Sequence, residues 1–364
     1  MLFSDNVSVE DEIALKDEAV GAGLLMMGPD CGTAILSGIP LGFANAVRRG
    51  SIGIVGASGT GIQEISCLVH RFGGGISHAI GTGGRDLSEA IGGRMTRLGI
   101  AALANDPKTD VLVVVSKTPA PGVGKAVLDA LRAAEVPAVV HFVGQTAREK
   151  EGSLVFADSL AATAALACDA AGIPVPSDGQ TTPHGEVAAA EGRLLGLFCG
   201  GTLCQEAWTL LTRAGLRVGA NVAPNAAARA AAEGGTGHIL LDLGEDRFTV
   251  GRPHPMIEPS LRDERVAAAG KDRSIAVVLT DLVLGYGAHP DPGASLAAAA
   301  AEAIATARKD GRRLAVVTSI TGTDRDPQDY GRQKAALENA GVRIAASNAQ
   351  AADLARRLLK EGGR

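Results

Sequence analysis

Two stretches of this chain repeat one another. Ala57-Ser58-Gly59-Thr60-Gly61-Ile62-Gln63-Glu64 is matched by Cys199-Gly200-Gly201-Thr202-Leu203-Cys204-Gln205-Glu206, so Gly-Thr-x-x-Gln-Glu recurs at a spacing of 142 residues. An apolar run precedes each copy, Ile52–Val55 and Leu194–Phe198, and a segment with helical spacing follows it. Strand, small-residue turn and helix start aim free N–H groups and the positive end of a helix dipole at one point. That is an anion site for phosphate or carboxylate. Two such turns constrain the chain to two related α/β units.

The downstream sequence keeps the same order. A Gly-Arg loop follows each turn, Gly84-Arg85-Asp86 in the first copy and Gly251-Arg252-Pro253-His254 in the second. Apolar strands come next, at 110–115 and 275–279, and a last pair at 138–146 and 315–323. The spacing drifts from 142 to 177 residues, which places insertions between the blocks. A period this long means duplicated domains, because solenoid repeats run about 20–50 residues.

Periodicity predicts a helix over 9–23 with Glu10, Asp11 and Glu12 in its first turns, where a helix dipole favours acids. A short strand is expected at 24–27, stopping at Gly28-Pro29-Asp30-Cys31. Strands at 52–55, 76–80, 111–115 and 137–143 then alternate with helices at 60–72, 87–103, 121–134 and 159–170. Such alternation predicts parallel strands with helices on both faces. Residues 171–191, rich in proline, read as a linker, and a second alternating unit runs from about 192 to a closing helix near 349–360.

Composition narrows the function classes. A length of 364 residues implies two or three domains, and 46% hydrophobic content is ample for their cores. Only 3% is aromatic, against the stacking platforms of single-stranded nucleic-acid binders. A net charge of −5 provides no basic field for nucleic acid or anionic membrane. There is no basic-then-apolar leader at the N-terminus and no apolar run of about 18 residues, so a soluble, cytoplasmic protein is expected. The five cysteines (31, 67, 168, 199, 204) form no CxxC pair and read as small buried or turn-lining thiols. Cys199, at a helix start that favours thiolate, is the alternative nucleophile.

The motifs taken together, Met27-Gly28-Pro29-Asp30-Cys31-Gly32-Thr33, Gly53 to Glu64, Ala79 to Ser88, Gly200-Gly201-Thr202, Val250 to Ile257 and Gly322 to Gln328, resemble the FdrA family over nearly the whole chain. That family is in turn similar to succinyl-CoA synthetase. The resemblance implies two tandem flavodoxin-like, ligase-type parallel-sheet domains after a remnant of a Rossmann-like CoA-binding domain. Residues 1–50 would be that remnant, 51–170 the α-subunit type of ligase domain, 171–191 the linker and 192–364 the β-subunit type. It also implies that this chain lacks an N-terminal segment and a C-terminal extension of typical members, which puts CoA binding in doubt and leaves no cofactor certain.

Departures from the synthetase pattern carry as much information. Where the synthetases have a phosphorylated histidine in Gly-His-Ala-Gly, residues 144–152 contain no histidine. The supporting glutamate is replaced by Ser116-Lys117-Thr118. A phosphohistidine relay needs the imidazole nucleophile and a carboxylate to orient it. What survives is the phosphate cradle: in the synthetases the two helices that start at the Gly-Thr turns point at one phosphate, each from its own subunit, whereas this chain holds both.

Candidate site residues follow. Ser58, Gly59, Thr60 and Gly61 form the first phosphate cradle, and Gly200, Gly201 and Thr202 the second. Lys117 supplies a cation, and Arg85 and Arg252 suit bidentate grip of a carboxylate. For Arg85 the alternative is an ion pair with Asp86 or a helix end. His254, in a rigid Pro-flanked turn, is a candidate for proton transfer or substrate contact. Asp324, Arg325 and Asp326 lie in a loop after a central strand, where ligands of parallel sheets gather. A loop salt bridge is the competing reading there. Cys31 belongs to the first motif. The remaining histidines show no ligand spacing, and no metal site is expected.

Three functions remain open on this reading. The FdrA resemblance implies a subunit of an oxamate carbamoyltransferase of allantoin breakdown, working with two partner subunits in a homo-oligomer. Its ligands would be phosphate, carbamoyl phosphate or another acyl phosphate, and a small carboxylate. The alternatives are an acyl-CoA ligase or CoA-transfer subunit, and a non-catalytic scaffold.

Overall fold

A computed structural model describes residues 1–146, 148–176 and 190–359. Most of the linker expected over 171–191, and the last residue of the helix expected at 349–360, lie outside the described residues. The chain divides into two compact units, Met1–Pro176 and Ser177–Arg364.

The first unit runs α1 (Val9–Gly21), β1 (Thr33–Leu36), β2 (Ile39–Gly42), β3 (Arg49–Ala57), α2 (Gly59–Arg71), β4 (Ile76–Gly81), α3 (Arg94–Ala104), β5 (Val111–Lys117), α4 (Pro121–Ala133), β6 (Ala138–Val143), β7 (Leu154–Phe156) and α5 (Leu160–Ala170). Its sheet has the order β2-β1-β4-β3-β5-β6-β7. Strands β3 to β7 pair in parallel, whereas β1 joins β4 antiparallel. Strands such as Val111–Ser116 are buried along their length, because helices cover both faces of a parallel sheet.

The second unit runs β8 (Arg193–Phe198), α6 (Gly201–Arg213), β9 (Val218–Ala220), α7 (Ala226–Gly234), β10 (His238–Asp242), α8 (Asp246–Thr249), α9 (Ser260–Ala269), β11 (Ile275–Val283), α10 (Pro292–Lys309), β12 (Ala315–Thr321), α11 (Tyr330–Asn339), β13 (Arg343–Ala345) and α12 (Asn348–Arg357). The order is β13-β12-β11-β8-β10-β9, with parallel pairing throughout.

The two sheets have the same central strand order. The series β4-β3-β5-β6-β7 in the first corresponds to β10-β8-β11-β12-β13 in the second, the flavodoxin-like order. The insertion that makes the spacing drift is chiefly β9 and α7, which sit between α6 and β10.

Three local expectations change. Residues 24–27 form no strand, and the hairpin β1–β2 follows instead, turned by Ser37 (φ 51) and Gly38 (φ 83). Positive φ at both turn positions matches the twist of paired strands. The helix expected over 87–103 starts only at Arg94, since Gly92 and Gly93 (φ 75 and 69) interrupt it. Strand β7 was not expected.

Within the first unit α1 is held by a buried charge network. The Lys16 ammonium, fully buried, lies 2.8 Å from both Glu12 Oε1 and Asp86 Oδ1 and donates to the Thr82 carbonyl at 3.2 Å. Asp86 Oδ2 also accepts from the Thr96 amide and hydroxyl, at 2.9 and 2.7 Å, and so pins the start of α3.

Candidate functional site

The first Gly-Thr turn leaves β3 at its carboxyl end and starts α2. Ser58 caps the helix, its Oγ accepting from the Gly61 amide at 3.2 Å. Glycine is required at 61, where a Cβ would stand 2.3 Å from that Oγ. The same Cβ would meet Val115 Cγ2 at 3.2 Å, so the floor of the turn is apolar. Register then places a cation. Ser116 of β5 sits beside Ala57 of β3, so the exposed Lys117 emerges level with Ser58. Ser58, Gly59, Thr60 and Gly61 thus form one helix N-terminus, and Lys117 ends the neighbouring strand, its charge close enough to act on Asp30.

Arg85 is not gathered there. Its Nε lies 2.9 Å from Glu12 Oε2 and its Nη2 donates to the Val7 carbonyl at 2.6 Å, which commits it to α1. Asp86 is the buried partner of Lys16, and neither residue is positioned as a free substrate contact. Cys31 is buried, donates to the Thr33 carbonyl at 3.6 Å, and its thiol is pushed up to about 11 by burial. That is an inert thiol.

Asp30, from the same motif, is a residue that the sequence reading passed over. Asp30 is solvent-exposed, yet the protein packed around it raises its pKa by desolvation, against a hydrogen bond from the Gly84 amide and the nearby Lys117 and Arg85 charges. The loops meet backbone to backbone: at Gly83 (φ 90) a Cβ would stand 2.0 Å from the Pro29 carbonyl oxygen. The crevice between residues 28–33 and 81–84 is therefore closed.

The second turn departs from its expectation. The Cys199 and Gly200 amides both donate at 2.8 Å to the carboxylate of Asp281, on β11. Asp242, at the end of β10, closes on the turn as well, since a Cβ on Gly201 would stand 2.5 Å from its Oδ2. Two acids from this chain thus occupy the place expected to hold phosphate on Gly200, Gly201 and Thr202. The repeats differ at two strand ends, Asp242 standing where the first unit has Gly81 and Asp281 where it has Val115. Val115 stands beside Gly56 in the first sheet; in the second, Leu197 pairs with Thr280, which brings Asp281 beside Phe198.

Asp281 is fully buried, and desolvation lifts its pKa to about 6, against the two amides and Arg262. Arg262 is buried beneath it, donating to the Asp281 carbonyl at 3.4 Å and, through both Nε and Nη2, to Asp263 Oδ1 at 2.8 Å. Cys199 is buried and its thiol raised by burial and by Asp281, so it is no nucleophile. A folded-state pKa above the ordinary 3.8 means that the native state binds this proton more tightly than the unfolded chain does. The stabilisation is complete below about pH 4 and lost as pH rises through about 6, on the order of 2–3 kcal/mol. The stability difference between wild type and Asp281→Asn, from urea unfolding at pH 4 to 7, should fall along that window. A flat difference would refute the assignment.

His254 lies beside Gly244, in the loop that follows Asp242. Its Nδ1 accepts from the Met256 amide at 3.2 Å, and a Cβ on Gly244 would be 2.5 Å from its Nε2 and 3.2 Å from Asp242 Oδ1. Arg252 stays exposed, on a basic patch where burial first, and then the charges of Arg247 and Arg252, lower the pKa of Arg265. Asp326 is buried and accepts from the Thr323 amide at 2.8 Å as a loop brace, while Asp324 and Arg325 are exposed. Among the described residues no group of three or more His, Cys, Asp or Glu converges to hold a metal ion, and no helix is long and apolar enough to cross a membrane.

Two turn-and-helix units on flavodoxin-like sheets define the class. Residues 47–145 match the CoA-binding domain family and residues 197–358 the CoA-ligase family, the succinyl-CoA synthetase-like combination. The first match falls mostly on residues that the sequence reading assigned to a ligase-type domain. The chain belongs to the same family as the uncharacterized protein YahF of Escherichia coli (strain K12), with 45% identity over 373 residues, covering all of this chain and 72% of YahF. Among solved structures it is similar to the apo dinucleotide-forming acetyl-coenzyme A synthetase 1 of Ca. Korarchaeum cryptofilum, with 14% identity, 98% of this chain, 77% of that one and a TM-score of 0.35. It is also similar to an ATP citrate lyase of Methanothrix soehngenii solved with citrate and coenzyme A, with 18% identity, 48% of this chain, 31% of that one and a TM-score of 0.35.

Proposed function

We propose that this chain is the acyl-phosphate-handling component of a CoA-ligase-type acyl transfer, and that it binds its phosphoryl group at the first Gly-Thr turn without a phosphohistidine. One observation carries the reading: the α2 N-terminus has an apolar floor and a level cation, Lys117, where the second turn is filled by Asp281. Helix N–H groups and an ammonium stabilise phosphate oxygens as charge builds on them when the acyl–oxygen bond breaks. Asp30, with its raised proton affinity beside Lys117, suits the role of proton carrier.

CoA fits this unit incompletely. The pantetheine arm needs an open slot, and the crevice between residues 28–33 and 81–84 is closed by backbone contact. The acceptor is thus left to a partner subunit or to an opened form of that loop.

The FdrA resemblance supports a second reading at the same turn, in which oxalurate and phosphate give carbamoyl phosphate and oxamate. Carbamoyl phosphate is itself an acyl phosphate, and residues 144–152 and 116–118 lack the phosphohistidine apparatus in either case. Assays for thioester formed from acyl phosphates and CoA, and for carbamoyl phosphate formed from oxalurate, with and without candidate partner subunits, separate the two. Neither product, together with no binding of acyl phosphate, would sink both.

Ser58→Ala should weaken phosphate or acyl phosphate binding about tenfold or more, since a hydrogen bond to a charged group contributes roughly 1.5–3 kcal/mol. Thr202→Val should leave it unchanged. Calorimetry of both variants checks this, and equal affinity of Ser58→Ala and wild type would make the first turn structural only.

A further inference from the structure

The second unit holds a cavity at the end of its sheet opposite the Gly-Thr turn. It has a volume of about 570 Å³, and Leu216, the first residues of β9 and β10, and the facing sides of α6 and α7 line it. That size lies within the roughly 300–1,000 Å³ of small-molecule sites. Its wall includes Trp208, half-buried, whose indole N–H donates to the Val218 carbonyl at 2.9 Å and so fixes the ring plane. Leu216 and Ala228 add apolar surface.

Three of the side chains in this wall present donors. His238 Nδ1 accepts from the Leu194 amide at 2.9 Å, so the neutral ring carries its proton on Nε2. Burial and the nearby Arg193 hold its pKa below the usual imidazole value, favouring that neutral form. Asn225 Oδ1 accepts from the Ala228 amide at 2.8 Å, which leaves its NH2 as a donor. Arg217 at the rim is exposed and makes no ion pair or side-chain hydrogen bond among the described residues. No aspartate or glutamate lines the cavity.

We infer that this cavity binds a flat ring carrying an acidic group, with the ring against Trp208 and the acid on Arg217. A purine nucleotide and an aromatic carboxylate share that chemistry. Flat rings stack on an indole held in one plane, and a guanidinium grips phosphate or carboxylate in two-pronged fashion. The site is separate from the phosphate turn, at the other end of the strands and in the other unit.

Trp208 is the chain's one tryptophan, so its fluorescence reports this cavity alone. The full chain should show a saturable change in emission with AMP, with benzoate or with both, and the ligand that acts identifies the source of the acid. Adenosine and inorganic phosphate should bind at least about tenfold more weakly than AMP if the nucleotide is the ligand, and phosphate likewise against benzoate. Arg217→Ala should weaken binding by about tenfold or more, Arg217→Lys should retain part of it, and Arg213→Ala, on α6 but outside the cavity, should change nothing. The inference is overturned if neither probe gives a saturable change or calorimetric heat at millimolar concentration. It is equally overturned if adenosine matches AMP where AMP binds, or if Arg217→Ala binds as wild type.

Discussion

Lys16→Met should cost the first unit about 3–5 kcal/mol of stability, the loss typical when a buried ion pair is broken from one side. The ammonium is fully buried between Glu12 and Asp86, and methionine removes it from both carboxylates, leaving Glu12 with Arg85 alone and Asp86 with only neutral donors such as Thr96. Substituting all three, Glu12→Gln with Lys16→Met and Asp86→Asn, should recover part of the loss, because no uncompensated charge then remains. Urea unfolding followed by a probe in the first unit measures both. If Lys16→Met loses less than about 1 kcal/mol, the network is not what holds α1.

Lys117→Glu should reduce affinity for phosphate or acyl phosphate about a hundredfold or more, by exchanging a cation for an anion at the mouth of the α2 N-terminus. The side chain is exposed at the end of β5, so the thermal midpoint should hardly move. Added salt should narrow the gap between the variants, since exposed charges are screened. Unchanged affinity would remove Lys117 from the site and with it the case for the first turn as an anion cradle.

Much of the fold was legible because duplicated sequence blocks map onto duplicated strands. The pairing of 110–115 with 275–279, and of 138–146 with 315–323, names β5 with β11 and β6 with β12. The repeated Gln-Glu was legible as a repeat and not as a role. Glu206 accepts from Asn348 Nδ2 at 2.7 Å, and the same amide donates to the Leu203 carbonyl at 2.9 Å, so that acid fastens α6 to α12. The site was less legible, because its decisive contacts span long separations. Arg85 meets Glu12 across 73 residues, and the Cys199 amide meets Asp281 across 82. Only strand register shows that Asp281 stands where Val115 stands in the other unit. The hairpin β1–β2 was missed because Pro40 and the short apolar runs hide its alternation.

The contrast between Val115 and Asp281 bears on how a doubled protein divides labour. Both halves keep a turn whose helix start favours negative charge, and the second half meets that demand from within, through Asp281. Retiring a pocket in this way erases no architecture: the helix keeps its start, the strand keeps its neighbour, and a borrowed ion becomes a resident one. An acid reached through register and not through proximity in sequence thus rivets the second turn to its own sheet.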